Sequence, residues 1–179
     1  RIIVTRFSAM GDVAMVASVL KEFSEQNPET EIIMVSRKLY SAFFDHIPNL
    51  TFHTFDPNGN HKGLNRLIRL FNELKSYKAY AVADLHNNIR TNVLNFLFKL
   101  TVCKVKQLDK GRKEKKELTR KHNKIKKQLK LTTERYADVL RALGFTVQLS
   151  HQLKKDARPI PSSLKEIINN TNKNIGIAP

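Results

Sequence analysis

The chain is poor in cysteine, glycine and long apolar runs, and each shortage narrows what it can be. Its one cysteine, Cys103, cannot close a disulfide within the chain, so nothing requires an oxidising compartment and a reduced cytosol is expected. Cys103 itself reads as buried apolar filler. No run approaches the roughly 18 consecutive apolar residues of a membrane span, and the apolar start is too short for a secretory signal core. A soluble chain is therefore expected. The six glycines do not fall in the G-x-G-x-x-G spacing that lets a backbone approach a pyrophosphate, and no Lys-Ser/Thr pair closes a phosphate loop. A dinucleotide enzyme and a phosphate-loop NTPase are thus disfavoured. The six histidines, at 46, 53, 61, 86, 122 and 151, show neither H-E-x-x-H nor Cys-His spacing, so no metal centre is implied.

What remains is enough for one solid core: 179 residues, 41% hydrophobic. The formal charge of +16 is unevenly spread. Residues 1–98 carry 11 basic and 9 acidic side chains, whereas the 32 residues 99–130, "KLTVCKVKQLDKGRKEKKELTRKHNKIKKQLK", carry 14 and 3. That segment is either a solvated face or an anion-binding surface. Leu118, His122, Ile125 and Leu129 recur in it at helical spacing, which predicts a helix with one narrow apolar seam.

The order of elements predicts an alternating architecture. "RIIVTRF" reads as a strand, and "GDVAMVASVLKEFSEQNP" as a helix with Val13, Val16, Leu20 and Phe23 on one face and Pro28 as its stop. "EIIMVS" suits a strand buried on both faces, "RKLYSAFFDHI" a helix, and "LTFHTFD" a strand. A helix with Leu64, Leu67, Ile68, Phe71 and Leu74 follows, then a strand in "YAVADLH", a helix in "IRTNVLNFLFKL" with Val93, Phe96, Leu97 and Leu100 expected in the core, and a strand in "CKVKQL". Four strand–helix repeats predict a Rossmann-like α/β domain: a parallel sheet with right-handed crossovers, over residues 1–150. Residues 151–179 read as a Pro-containing linker, then a helix capped by Ser162 or Ser163 with Leu164, Ile167 and Ile168 inward.

In such sheets ligands gather where strands lead into helices. Two of these loops are chemically loaded. One is "RFSAMGDV", with Ser8, Gly11 and Asp12; the other is "DLHNNIR", with Asp84, His86, Asn87, Asn88 and Arg90. Gly11 is expected to make a tight turn. Asp12 either complements the helix dipole and caps free N–H groups, or serves as a base that takes a proton from a hydroxyl turning acidic in a transition state. Asp84 at a strand end is also the position of a receiver-domain phosphoacceptor, but the early acidic partners of such a site are lacking apart from Asp12.

The stretch "RIIVTRFSAMGDV" resembles the amino-terminal signature of the ADP-heptose:lipopolysaccharide heptosyltransferases, glycosyltransferase family nine. "AYAVADLHNNIRTNVLNFLFKL", "ERYADVLRALGF" and "NIGIAP" resemble three further family blocks, in the same order along nearly the whole chain. The resemblance implies the amino-terminal, acceptor-binding half of a GT-B glycosyltransferase, with the donor-binding domain expected to begin near Pro179. It implies an inverting transfer of heptose from ADP-heptose to a hydroxyl of a lipopolysaccharide inner-core acceptor, with Asp12 as general base and no metal or other cofactor. The fragment is expected to be inactive alone, because the nucleotide-sugar donor is held by the second domain.

For an anionic glycolipid acceptor, Arg90, Arg120 and Lys121 are the candidate phosphate or carboxylate contacts. Ser8, Met10 and Gly11 would line the turn, and Asn87 and Asn88 would meet sugar hydroxyls. Glu134 and Arg135 read as a pair or helix support, and Tyr136 as core. The basic segment fits a peripheral patch on the cytoplasmic face of the inner membrane, each cation there contributing about 1 kcal/mol. The competing reading, a nucleic-acid-binding module, lacks aromatics interleaved in the basic segment and any recognisable motif, so no nucleic acid is expected. A noncatalytic phosphate-sugar-binding domain is the third.

Overall fold

The computed structural model describes residues 1–152. Residues Arg1–Leu149 form one compact unit. The linker and capped helix expected in 151–179, and the block "NIGIAP", lie outside the described residues, apart from positions 151 and 152.

Five parallel strands, β1 (Ile2–Thr5), β2 (Ile32–Ser36), β3 (Leu50–Thr54), β4 (Ala81–Asp84) and β5 (Lys104–Gln107), lie in the order β3-β2-β1-β4-β5. Strand β1 is central and every residue in it is buried. Its alternation sorts the two cores: Ile2 and Val4 face helices α1 (Met10–Gln26) and α5 (Thr132–Ala142), and Ile3 faces α2 (Leu67–Lys75) and α3 (Ile89–Lys99). A strand buried on both sides carries an unbroken apolar run, which is what "IIVT" is. The expected Rossmann-like α/β class is the observed one, with helices on both faces.

Four expectations are corrected. "RKLYSAFFDHI" forms a 3-10 turn at Lys38–Phe43 rather than an α-helix, because the link from Ser36 to Leu50 barely spans the dozen residues that a helical crossover needs. Helix α2 starts at Leu67, after Gly63 takes φ +79, so Leu64 stays exposed.

The basic segment is not one seamed helix. Only α4 (Arg112–Thr119) forms, with no buried residue, and residues 120–131 are irregular and mostly exposed. Positions 118–133 hold no acidic residue, so every i,i+3 and i,i+4 charge pair there is repulsive, and a seam of three aliphatics does not outweigh that.

Finally, α3 buries Thr91, Leu94, Asn95 and Phe98, leaving Phe96 and Leu100 in solvent and Val93 and Leu97 half-buried. Apolar residues of α3 fall on two opposite faces, and only the neighbouring elements choose between them.

Candidate functional site

The carboxyl ends of β1 and β4 are adjacent, with Thr5 paired to Asp84. From there the chain leaves β1 toward one face of the sheet and β4 toward the other, which opens a crevice at the switch point. Asp12 lies in the first turn of α1 at its rim. The helix N-cap, Ala9, contributes no side-chain cap. The Asp12 carboxylate is instead turned to tertiary partners: Oδ2 pairs with the Arg6 guanidinium, and Oδ1 accepts from the Tyr136 hydroxyl at 3.3 Å.

Arg6 is the first residue past β1, and its backbone N–H extends the ladder to the Val35 carbonyl. Its side chain is 9% exposed. Nη1 donates to the Leu85 carbonyl at 2.7 Å, the guanidinium lies 5.8 Å from the Tyr136 ring centroid, and Nε is buried with no partner among the described residues. Burial, reinforced by the Asp12 charge and opposed by Arg6, pushes the Tyr136 hydroxyl up to about 12, so it remains a donor at neutral pH.

His86 follows the Asp84-Leu85 corner and packs on Phe7, ring centroids 5.6 Å apart. Burial, helped by the Arg6 charge, pulls it down to about 4; the imidazole is neutral at pH 7, and its buried Nδ1 has no partner among the described residues. Lys110 is lowered from its ordinary value by burial, Arg112 and Arg6, against the pull of Asp84 and Asp12. Three cations thus act on two carboxylates around the crevice. An excess of fixed positive charge in a partly dry cleft suits an anionic ligand.

Asp84 itself is spoken for. Fully buried, it accepts from the Thr5 hydroxyl (3.2 Å), the His86 and Asn87 backbone N–H groups (2.9 and 2.8 Å) and the Asn95 amide (2.7 Å). Its work is to hold the loop after β4, not to accept a phosphoryl group.

Of the candidate residues, Asp12, Ser8, Met10 and Gly11 lie together at the head of α1, with Met10 and Gly11 exposed and Ser8 half-buried. Gly11 does not make the turn: its φ is not in the left-handed region, it sits within the helix, and a Cβ built on it meets nothing within 4 Å. Asn87, at φ +48, donates its amide to the Leu108 carbonyl at 2.8 Å, and Asn88 caps α3 in a reciprocal pair with Thr91. Both asparagines therefore have structural work in the loop. Arg90 is exposed beside them and lines a cavity of about 380 Å³ with Gly63, Leu64, Asn88 and Ile89. A cation in a helix's first turn opposes the macrodipole, so Arg90 stands there against a small local cost.

Arg120 and Lys121 are exposed just past α4, in the irregular stretch. The cations acting on Asp12 are Arg6 and Lys110. Glu134 meets Arg141 at 2.7 Å, and buried Arg135 meets Glu114 at 2.7 Å, so both support the packing of α5. Tyr136 is core, as expected, yet its hydroxyl reaches the site. Sequence reasoning missed Arg6, and the signal was present: a charged residue directly after an all-apolar strand, six positions before an aspartate.

A second cluster, His53, His61 and Glu73, is not a metal centre. The Asp56 backbone N–H donates to His61 Nδ1 at 3.0 Å, which puts the ring proton on Nε2, and Nε2 faces Glu73 at 3.1 Å with no lone pair to offer.

No family model matches the chain. Over 92 residues, 51% of this chain and 26% of the relative, it is 27% identical to the lipopolysaccharide core heptosyltransferase OpsX of Haemophilus influenzae. It superposes on a glycosyl transferase family 9 structure from Veillonella parvula with TM-score 0.57 and 25% identity, covering 82% of this chain and 42% of that one. Against E. coli heptosyltransferase WaaC with ADP-2-deoxy-2-fluoro heptose the TM-score is 0.56 at 17% identity, covering 84% and 50%, a likeness of fold. The chain spans half or less of the length of these relatives.

Proposed function

We propose that this chain belongs to the heptosyltransferases of glycosyltransferase family nine and is the acceptor-binding half of a two-domain GT-B enzyme of lipopolysaccharide biosynthesis, a reading supported by its likeness to OpsX and to the family 9 structure. The observation that carries the reading is the Asp12 carboxylate, held at the β1/β4 switch point by Arg6 and Tyr136 and one-third exposed to the crevice. A carboxylate offers about four lone-pair sites, and two interactions leave room for a substrate hydroxyl.

In the reaction, an acceptor sugar hydroxyl gives its proton to Asp12 as its oxygen bonds to the anomeric carbon of the donor heptose. The bond from that carbon to the ADP oxygen breaks on the opposite face, and the configuration inverts. Arg6 and Tyr136 orient the carboxylate. Lys110 and Arg90, with His86 as a neutral hydrogen-bonding group, supply the side of the crevice that meets the acceptor's anionic groups. Gly11 leaves the head of α1 bare, so a sugar can approach the backbone there. The donor, ADP-heptose, is met by residues beyond this chain, and the acceptor is lipid-linked at the cytoplasmic face of the inner membrane.

The test is heptose transfer by the full-length protein from ADP-heptose to an inner-core acceptor, wild type against Asp12→Asn, both shown folded by circular dichroism. A loss of about a hundredfold or more in kcat with acceptor affinity retained is expected. Equal rates would make Asp12 a structural carboxylate, and transfer by neither protein would favour the noncatalytic binding domain.

A further inference from the structure

The outer face of α3 carries an apolar stripe that nothing in the described residues covers. Ile89, Phe96 and Leu100 are 74%, 62% and 69% exposed, and with half-buried Val93 they fall within about 60° of one another around the helix. The buried face, Leu94 and Phe98, is diametrically opposite. At the far end Val102 is 98% exposed and held at φ +57, a conformation that β-branched residues rarely take, so the turn spends backbone strain to keep a valine in water. Beside the near end, exposed Leu64 shares a cavity with Ile89 and Arg90.

Charge identifies the occupant. Residues 85–108 contain four basic side chains, Arg90, Lys99, Lys104 and Lys106, and no acidic one. Arg90 and Lys99 fall on opposite flanks of the stripe, where long cationic side chains can keep their heads wet while the apolar row is buried. A second copy of this chain would set like charges against like, and a neutral apolar partner would gain nothing from the cations. An apolar row between cations matches the interfacial zone of an anionic bilayer.

We propose that α3 is the element by which the protein lies on an anionic lipid surface, inserting Ile89, Phe96, Leu100 and Val102 at the level of the headgroups. This rests on the lipid-linked acceptor reading and names the surface it requires. The irregular basic stretch 120–131 is then an auxiliary electrostatic tether. Because α3 begins at the loop that Asp84 holds, docking by this helix would set the crevice against the bilayer. No helix among the described residues is long and apolar enough to cross a membrane.

The experiment is sedimentation of the full-length protein with vesicles of phosphatidylcholine alone or mixed equally with phosphatidylglycerol, free of any core glycolipid. Wild type should bind the mixed vesicles, more weakly in high salt, and Phe96→Ser/Leu100→Ser should reduce the partition by about tenfold or more per side chain. In Phe96→Trp, read as a difference from wild type because this chain has no tryptophan, emission should shift to the blue on vesicle addition and be quenched by brominated lipid. Binding that survives the double substitution, or an emission unmoved by vesicles, overturns the proposal. So does a wild-type dimer that the substitutions split while vesicle binding persists. Transfer to a delipidated acceptor is measured separately: transfer without vesicle binding removes the lipid-surface assignment and leaves the transferase, and vesicle binding without transfer does the reverse.

Discussion

Arg6 and Asp12 should not tolerate loss of either partner equally. The Arg6 side chain is 9% exposed and the Asp12 side chain 34%. Asp12→Asn therefore strands a charge that water can scarcely reach. Losing one partner of a buried pair costs about 3–5 kcal/mol, and the surviving bond from Nη1 to the Leu85 carbonyl and the Tyr136 ring lower this to about 2–4 kcal/mol. Arg6→Met leaves a carboxylate that keeps its contact with water and with the Tyr136 hydroxyl, so about 1–2 kcal/mol is expected. The double variant removes both charges and should be no worse than Arg6→Met, a coupling of about 2–4 kcal/mol. At about 2–4 °C per kcal/mol, thermal melts resolve this ordering, with urea titration as the check on slope. Single effects that add to within about 0.3 kcal/mol, or an Arg6→Met more damaging than Asp12→Asn, would refute the reasoning that burial decides which partner is needed.

Two glycines should respond oppositely to alanine. Gly11→Ala, in open space within a helix, should raise stability by about 0.5 kcal/mol and slow transfer, and unchanged transfer would remove the close approach proposed at α1. Gly111→Ala should cost about 2 kcal/mol in a urea melt, since Gly111 sits at φ +59 and its Cβ would meet the Arg135 guanidinium at 2.5 Å; a neutral result would mean that Arg135 moves freely. His86, depressed by burial from 6.5 to about 4, binds its proton more readily in the unfolded chain, so its contribution to stability is present above pH 6.5 and is lost as pH falls toward 4. The melting temperature of wild type should fall across that window more steeply than that of His86→Gln, and parallel curves would place His86 in water.

Strands β1, β2 and β4 were legible because each is a short apolar run closed by a polar residue, and "IIVT", "IIMVS" and "AVAD" could be buried only from both sides. Asp12 was legible as a carboxylate at a strand-to-helix junction. Of its partners, Tyr136 lies 124 residues away and leaves no local trace, whereas Arg6 is marked only by its place directly after a buried strand. A polar loop at a strand end invites sugar contacts at both asparagines, and only the fold shows that the amide of Asn87 and the cap of Asn88 also hold the loop itself. The spacing of Leu118, His122, Ile125 and Leu129 predicts a helix in 99–130; mutual repulsion leaves only α4.

By itself the sequence determined the order of strands and helices, the parallel α/β class, the concentration of positive charge and the position of one aspartate where a strand gives way to a helix. These depend on local periodicity and composition, which neighbours in the chain carry. Tertiary structure alone decided which face of α3 is buried, that Arg6 and Tyr136 grip the two oxygens of Asp12, and that Lys110 comes within electrostatic reach of it. Each of those is a choice between alternatives of equal local energy, and only contacts between residues far apart in the chain can separate them.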